Sequence, residues 1–114
     1  MFRYNLYLND IMRAIDRIEK SAKNKSFREF KVDNELIDAT SMRLQVIGES
    51  ISKLGKLKEK YKEVDWQKYL QTRNIISHAY FAVNLEILWS IITKNIPELK
   101  KQINEIIENE GQDA

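Results

Sequence analysis

YNLYLNDIMRAIDRIEKSA, residues 4–22, decides what kind of fold this chain adopts. Tyr4, Leu8, Ile11, Ile15, Ile18 and Ala22 follow one another at alternating intervals of four and three. That is the spacing of one face of an α-helix at 3.6 residues per turn, and it predicts an amphipathic helix of about five turns. Asn24 to Lys31 breaks the pattern with a basic connection, in which a short turn lets Phe27 and Phe30 cover the core.

The same period returns further along. Asp33 or Asn34 offers an N-cap, and Ile37, Thr40, Leu44, Ile47, Ile51 and Leu54 form a second stripe that should pair with the first along a seam. Gly48 falls inside this helix, where it costs about 1 kcal/mol relative to Ala, so the position predicts close approach by another backbone or a ligand. Gly55 suits the helix C-terminus because it can adopt positive φ.

Asp65 predicts the cap of a third helix, with Val64 placed to staple onto Tyr69 and an end near His78 or Tyr80. Val83 and Asn84 offer a fourth start, and Leu85, Leu88, Trp89 and Ile92 supply its apolar face. Pro97 belongs in the first turn of a fifth helix, where its missing N–H is harmless, and Leu99, Ile103 and Ile106 point that helix inward. The expected fold is all-α: an antiparallel bundle of four main helices plus a shorter C-terminal one, in a single domain over residues 1–114. Trp66 and Trp89 read as core fillers.

Composition agrees. The chain has 114 residues, 43% hydrophobic and 32% charged, with only three Gly and one Pro, so it buries enough apolar surface to fold and holds few breakers. It has no Cys and one His, which removes disulfides and thiolate metal sites and leaves only scattered carboxylates. Neither a metal nor a cofactor is expected. The N-terminus lacks a continuous apolar region, and no run approaches the roughly 18 apolar residues that span a bilayer. A cytoplasmic, non-membrane protein is the expectation. The net charge is +2 and uneven: residues 20–31 and 53–62 are basic and the tail ENEGQD is acidic. Basic stretches of this kind are usually solvated, although they also attract polyanions.

RNIISHAYF, residues 73–81, departs from the rest. On a helix, Arg73, Ser77 and Tyr80 share an azimuth with Trp66, Tyr69 and Leu70, so Arg73 stands where the pattern predicts an apolar residue. A buried guanidinium needs partners, and Glu49 or Asp38 could supply one. His78 is rotated about 140° from Arg73 and aligns instead with Asn74 and Gln71. The helix therefore carries two polar tracks, Arg73/Ser77/Tyr80 and Gln71/Asn74/His78. A groove or a neighbouring subunit could face both.

RNIISHAY also fits the signature R-x4-H-x-Y. Together with YLNDIMRAIDRIE, FREF, LQVIGESISKL and LEILWSIITKNIPELKKQI, it resembles the HepT toxins of the HEPN superfamily across nearly the whole chain. The resemblance implies a metal-independent endoribonuclease whose active site forms at a homodimer interface, with Arg73 and His78 as the catalytic pair. It makes Asn74 a supporting polar residue, to which the helical track adds Ser77, and a minimal nucleotidyltransferase the antitoxin partner. Tyr80 is, by the same resemblance, the acceptor of AMP groups transferred by that antitoxin.

Those residue types suit metal-free RNA cleavage, in which the 2′-hydroxyl attacks the adjacent phosphate. The reaction requires a base, an acid and a cation for the developing charge. One histidine cannot readily be acid and base at once, whereas a two-fold dimer supplies two. Two other readings compete: a non-catalytic helical partner or nucleotide-binding subunit of a nucleotidyltransferase, and a purely structural dimer.

Overall fold

A computed structural model describes residues 3–112; Met1, Phe2, Asp113 and Ala114, which includes the end of the acidic tail, lie outside the described residues. Helices make up the regular structure: α1 (Asn5–Ala22), α2 (Phe27–Phe30), α3 (Asn34–Ser52), α4 (Leu57–Lys60), α5 (Trp66–Ala79), a 3₁₀ turn (Tyr80–Ala82), α6 (Leu85–Ser90), a π turn (Ile91–Asn95) and α7 (Ile96–Gln112). The all-α bundle expected from the periodicity is the fold observed.

In α1 the stripe does what its spacing requires: Leu8, Ile11, Ile15 and Ile18 are wholly buried, with Ala14 beside them, while Tyr4 and Ala22 at its ends are partly covered. Each such aliphatic burial is worth about 1.5–3 kcal/mol, which is why a charged helix of this kind stays docked. In α3 the Asp33 carboxylate accepts from the Leu36 N–H at 3.0 Å, fixing the start. Leu36 takes the buried place that the spacing gave to Ile37, which is half-buried, and Leu44, Ile47, Ile51 and Leu54 complete the stripe.

α1 and α3 run antiparallel. At one end Arg43 donates to the Arg17 carbonyl at 3.1 Å and to Ser21 Oγ at 2.7 Å. At the other, Lys53 Nζ stands 5.7 Å over the Tyr7 ring. α3 closes at Ser52, so Gly55 lies just past the helix, in the turn toward α4, with the positive φ of 53° that its type allows.

Local chemistry sets the remaining starts. Ser26 and Glu29 form a reciprocal capping box on α2, and Phe30 is buried with its ring centroid 5.0 Å from that of Trp89. Asp65 accepts from Lys68 N–H at 3.3 Å to open α5, and Asn84 accepts from Ile87 N–H at 3.0 Å to open α6. Val64, Trp66 and Tyr69 are buried, and the Trp66 indole N–H donates to the Tyr61 carbonyl at 3.0 Å.

Segmentation differs from expectation mainly toward the C-terminus, where α7 runs 17 residues and is not the shorter element while α6 spans only six; the one-turn α4 between α3 and α5 was not expected either. α7 starts at Ile96 with Pro97 in its first turn, but no loop precedes it: α6, the π turn and α7 follow without a non-helical residue between them. A proline ring collides with the carbonyl four residues earlier in a regular helix. Here that residue is Thr93, inside the π turn, and widening the helix at that point lets the chain pass through Pro97 without stopping. α7 is tied down at both ends, by Lys100 on Glu19 at 2.9 Å and by Glu110 accepting from Tyr61 Oη at 2.6 Å. Among the described residues, no helix is long and apolar enough to cross a membrane.

Candidate functional site

α5 packs antiparallel to α3, and polar pairs cross the seam between them. Arg73 Nη1 lies 3.2 Å from Glu49 Oε1. Gln45 Nε2 donates to Ser77 Oγ at 2.9 Å. Tyr80 Oη donates to Asp38 Oδ1. As the chain advances along α5 the partner recedes along α3, so the predicted track Arg73/Ser77/Tyr80 becomes three successive rungs on one neighbour.

Gly48 explains how close the helices come. A Cβ built on it would lie 2.5 Å from Arg73 Cβ and 3.1 Å from the Tyr69 carbonyl oxygen, so any larger residue would push α5 away. The close approach expected at this glycine is made by the catalytic candidate's own stem. Arg73 is half-buried, with 21% of its side chain exposed, while Glu49 is 60% exposed. The pair is therefore a partly solvated one and not a buried ion pair, and Glu49, of the two carboxylates considered, is Arg73's partner. Asp38 serves Tyr80 instead.

The second track faces outward. Gln71, Asn74 and His78 are all exposed. Asn74 Oδ1 accepts from Arg73 Nε at 3.3 Å and from Nη2 at 3.0 Å, so the guanidinium reaches from the α3 seam onto the outer face. His78 stands one turn beyond Asn74 on that face. Arg73 and His78 are thus brought to a common surface through Asn74, although they do not share an azimuth.

Tyr80 keeps the predicted face but lies beyond the end of α5. Ala79 has φ −146° and ψ 46°, which ends α5 and throws Tyr80 into the 3₁₀ turn. Its hydroxyl is carried to Asp38, seven residues and about 10 Å of helix rise from Arg73, so within one chain Tyr80 does not sit beside Arg73. Desolvation first, and the Asp38 carboxylate second, push the Tyr80 phenol above its ordinary value of 10.0. Ser41 on the same side pulls the other way; its hydroxyl is buried and makes no hydrogen bond of full geometry.

Tyr80, Asp38 and Ser41 line a cleft of about 420 Å³ together with Asn34, Ile37 and Phe81. Phe81 is 99% exposed, and its ring meets Tyr80 edge-on at 5.2 Å. Sequence reading did not single out Gln45, Ser41 or Phe81. The polar positions 38, 41, 45 and 49 on α3 do recur at helical spacing beside the apolar stripe, which was the available signal. Among the described residues, no three His, Cys, Asp or Glu side chains converge as metal ligands.

The family profile described as Ribonuclease HepT-like matches residues 11–106. A protein of Caldanaerobacter subterraneus subsp. tengcongensis, provisionally named as an RNase, is 37% identical over 105 residues, covering 91% of this chain and 94% of its own length. "Probable ribonuclease HepT" of Thermococcus cleftensis is 31% identical over 101 residues, covering 88% and 92%. A Methanocaldococcus jannaschii protein, named as a gamma-glutamylcyclotransferase and provisionally as an RNase, is 36% identical over 104 residues; the alignment takes in 90% of this chain but 47% of that protein, about half its length. No solved structure matches the chain.

Proposed function

The chain belongs to the Ribonuclease HepT-like family, and from that premise we propose that it is a single-domain, metal-independent endoribonuclease acting as a homodimer, with Arg73 and His78 of both copies around one cleft. The observation that carries this reading is the exposed outer face of α5, where His78 and Asn74 stand one turn apart and Asn74 draws the Arg73 guanidinium toward them.

Two copies docked through these faces supply two imidazoles and two guanidinium groups. One His78 takes the proton of the RNA 2′-hydroxyl as it attacks the adjacent phosphorus, and the other protonates the departing 5′-oxygen. Both Arg73 side chains hold the phosphorane oxygens. Glu49 orients Arg73 from behind, and Asn74 and Ser77 fix the polar surroundings.

The partner in this reading is a minimal nucleotidyltransferase that neutralises the toxin by placing AMP on Tyr80. A bulky anion on this residue competes with RNA phosphate for the basic cleft of the assembled dimer. The test is RNA cleavage by rigorously purified His78→Ala and Arg73→Ala proteins, with the oligomeric state measured in parallel. The reading requires both variants to stay dimeric and lose cleavage; undiminished cleavage by His78→Ala removes the histidine from the mechanism.

A second reading, a non-catalytic partner or nucleotide-binding subunit of the nucleotidyltransferase, draws on one observation: Arg73 already has a carboxylate partner in Glu49. Co-purification with the nucleotidyltransferase, with no cleavage in either wild type or variants, selects it.

A further inference from the structure

The cleft between α3 and the 3₁₀ turn contains a hydroxyl already bonded to a carboxylate. Tyr80 Oη donates to Asp38 Oδ1, and both line the same open cleft, so an electrophile entering it meets the phenolic oxygen with a proton acceptor in place. We propose that Asp38 is the proton acceptor and orienting residue for nucleotidyl transfer to Tyr80. This rests on the reading above that Tyr80 is the AMP acceptor, and it assigns Asp38 a role that cleavage of RNA does not use.

The step balances as follows. The Tyr80 oxygen forms a bond to the α-phosphorus of ATP, the bond from that phosphorus to the bridging oxygen breaks, and pyrophosphate leaves. The phenolic proton passes to Asp38 Oδ1. A phenol is protonated at neutral pH, and burial and the adjoining carboxylate push this one further in that direction, so no phenolate waits in the cleft and the proton has to leave as the new bond forms. A carboxylate already on the O–H provides for that.

Two further features favour chemistry here over a purely structural bond. Asp38 is exposed, so the bond is open to solvent and reagent on one side. Phe81 is almost wholly exposed at the cleft's lip, edge-on to Tyr80, where an aromatic base can stack.

Two measurements on the full chain test the proposal. In the first, an arylsulfonyl fluoride, which consumes a phenol with loss of a proton and fluoride, is reacted with wild type, Asp38→Asn and Asp38→Glu, and labelling is mapped tyrosine by tyrosine. Labelling at Tyr80 should fall at least about tenfold in Asp38→Asn and recover in Asp38→Glu, as expected when a general base is lost and restored. Labelling of Tyr4, Tyr7, Tyr61 and Tyr69 should not change, which reports that the fold is intact. Equal or faster labelling of Tyr80 in Asp38→Asn overturns the assignment, because Asp38 would then only be holding the phenol protonated.

In the second, the same proteins are incubated with α-labelled ATP and the nucleotidyltransferase. Adducts on wild-type Tyr80 that drop at least about tenfold in Asp38→Asn support the proposal, and equal rates overturn it. Adducts confined to other residues of the wild type defeat the prior reading of Tyr80 as acceptor, and with it any role of Asp38 in the transfer. That failure is distinct from the loss of Asp38 alone.

Discussion

α1 and α5 both pack along α3, but with different materials. On the α1 side, Leu8, Ile11, Ile15 and Ile18 are completely covered against a core that includes Leu44, Ile47 and Ile51. On the α5 side, helix contact is as close, close enough that Gly48 cannot carry a Cβ, yet the pairs across it are Glu49 with Arg73, Gln45 with Ser77 and Asp38 with Tyr80. Apolar burial yields about 25 cal/mol per Å², whereas partly solvated polar pairs yield about 0–1 kcal/mol each. A seam that gives up that difference over three rungs is placing side chains, and the other seam supplies the stability that permits it.

This contrast predicts that damage to the two seams separates cleanly. His78→Ala, on the outer face of α5, should lower RNA cleavage about 10²- to 10⁴-fold, the usual worth of a general acid or base, with a melting temperature within a few degrees of wild type. Arg73→Met, a change of similar volume, should match that loss of cleavage, while stability moves by no more than about 1 kcal/mol, since it removes only a partly exposed pair. Large unfolding by Arg73→Met would mean that the polar seam is structural after all.

Ile15→Ala, on the dry seam, should do the opposite. It should cost about 2–5 kcal/mol of stability, read by denaturant unfolding, and leave cleavage per folded molecule unchanged.

Between these stands Gly48→Ala. Helix propensity alone favours alanine by about 1 kcal/mol, but the new methyl meets Arg73 Cβ at 2.5 Å and the Tyr69 carbonyl at 3.1 Å. Neither obstacle is the flexible end of a side chain, so α5 has to move, and overpacking of this kind costs about 1–3 kcal/mol. The expected result is a net loss of up to about 2 kcal/mol together with reduced cleavage, because the shift displaces the stem of Arg73. A stabilised, fully active Gly48→Ala protein would show that the seam gives way more readily than its geometry allows.

The dry seam was legible in the sequence because each of its residues obeys a single period. The polar seam was legible only by halves. Arg73, Ser77 and Tyr80 could be seen to share a face, and Gly48 to mark close contact, but a helical projection gives no register between helices. It therefore could not place Gln45 on Ser77, or assign Glu49 to Arg73 and Asp38 to Tyr80. α5 ends at Ala79, within the span the sequence suggested, but nothing in the projection shows that the 3₁₀ turn after it sets Tyr80 on Asp38. The uninterrupted passage from α6 into α7 was hidden for a related reason: Pro97 reads as a helix start, and only the π turn around Thr93 shows that it need not be one.

The smallest expected effect tests a polar fastening at the far end of α7. Glu110, near the end of α7, accepts from Lys60 and Tyr61, and these two bonds, Lys60 first, hold its carboxyl below the ordinary 4.5. A carboxyl lowered in the folded state contributes stability that is fully present above 4.5 and is lost as pH falls through its folded value. Wild type should therefore be more stable than Glu110→Gln near neutrality, and the two should converge as falling pH protonates the carboxylate. The difference should be no more than about 1 kcal/mol, because Lys60 is exposed and solvent screens the pair. Thermal unfolding of both proteins from about pH 7 to about pH 3 reads it. A gap that stays constant across that range would show that the amide fails for steric reasons and that the charge on Glu110 fastens nothing.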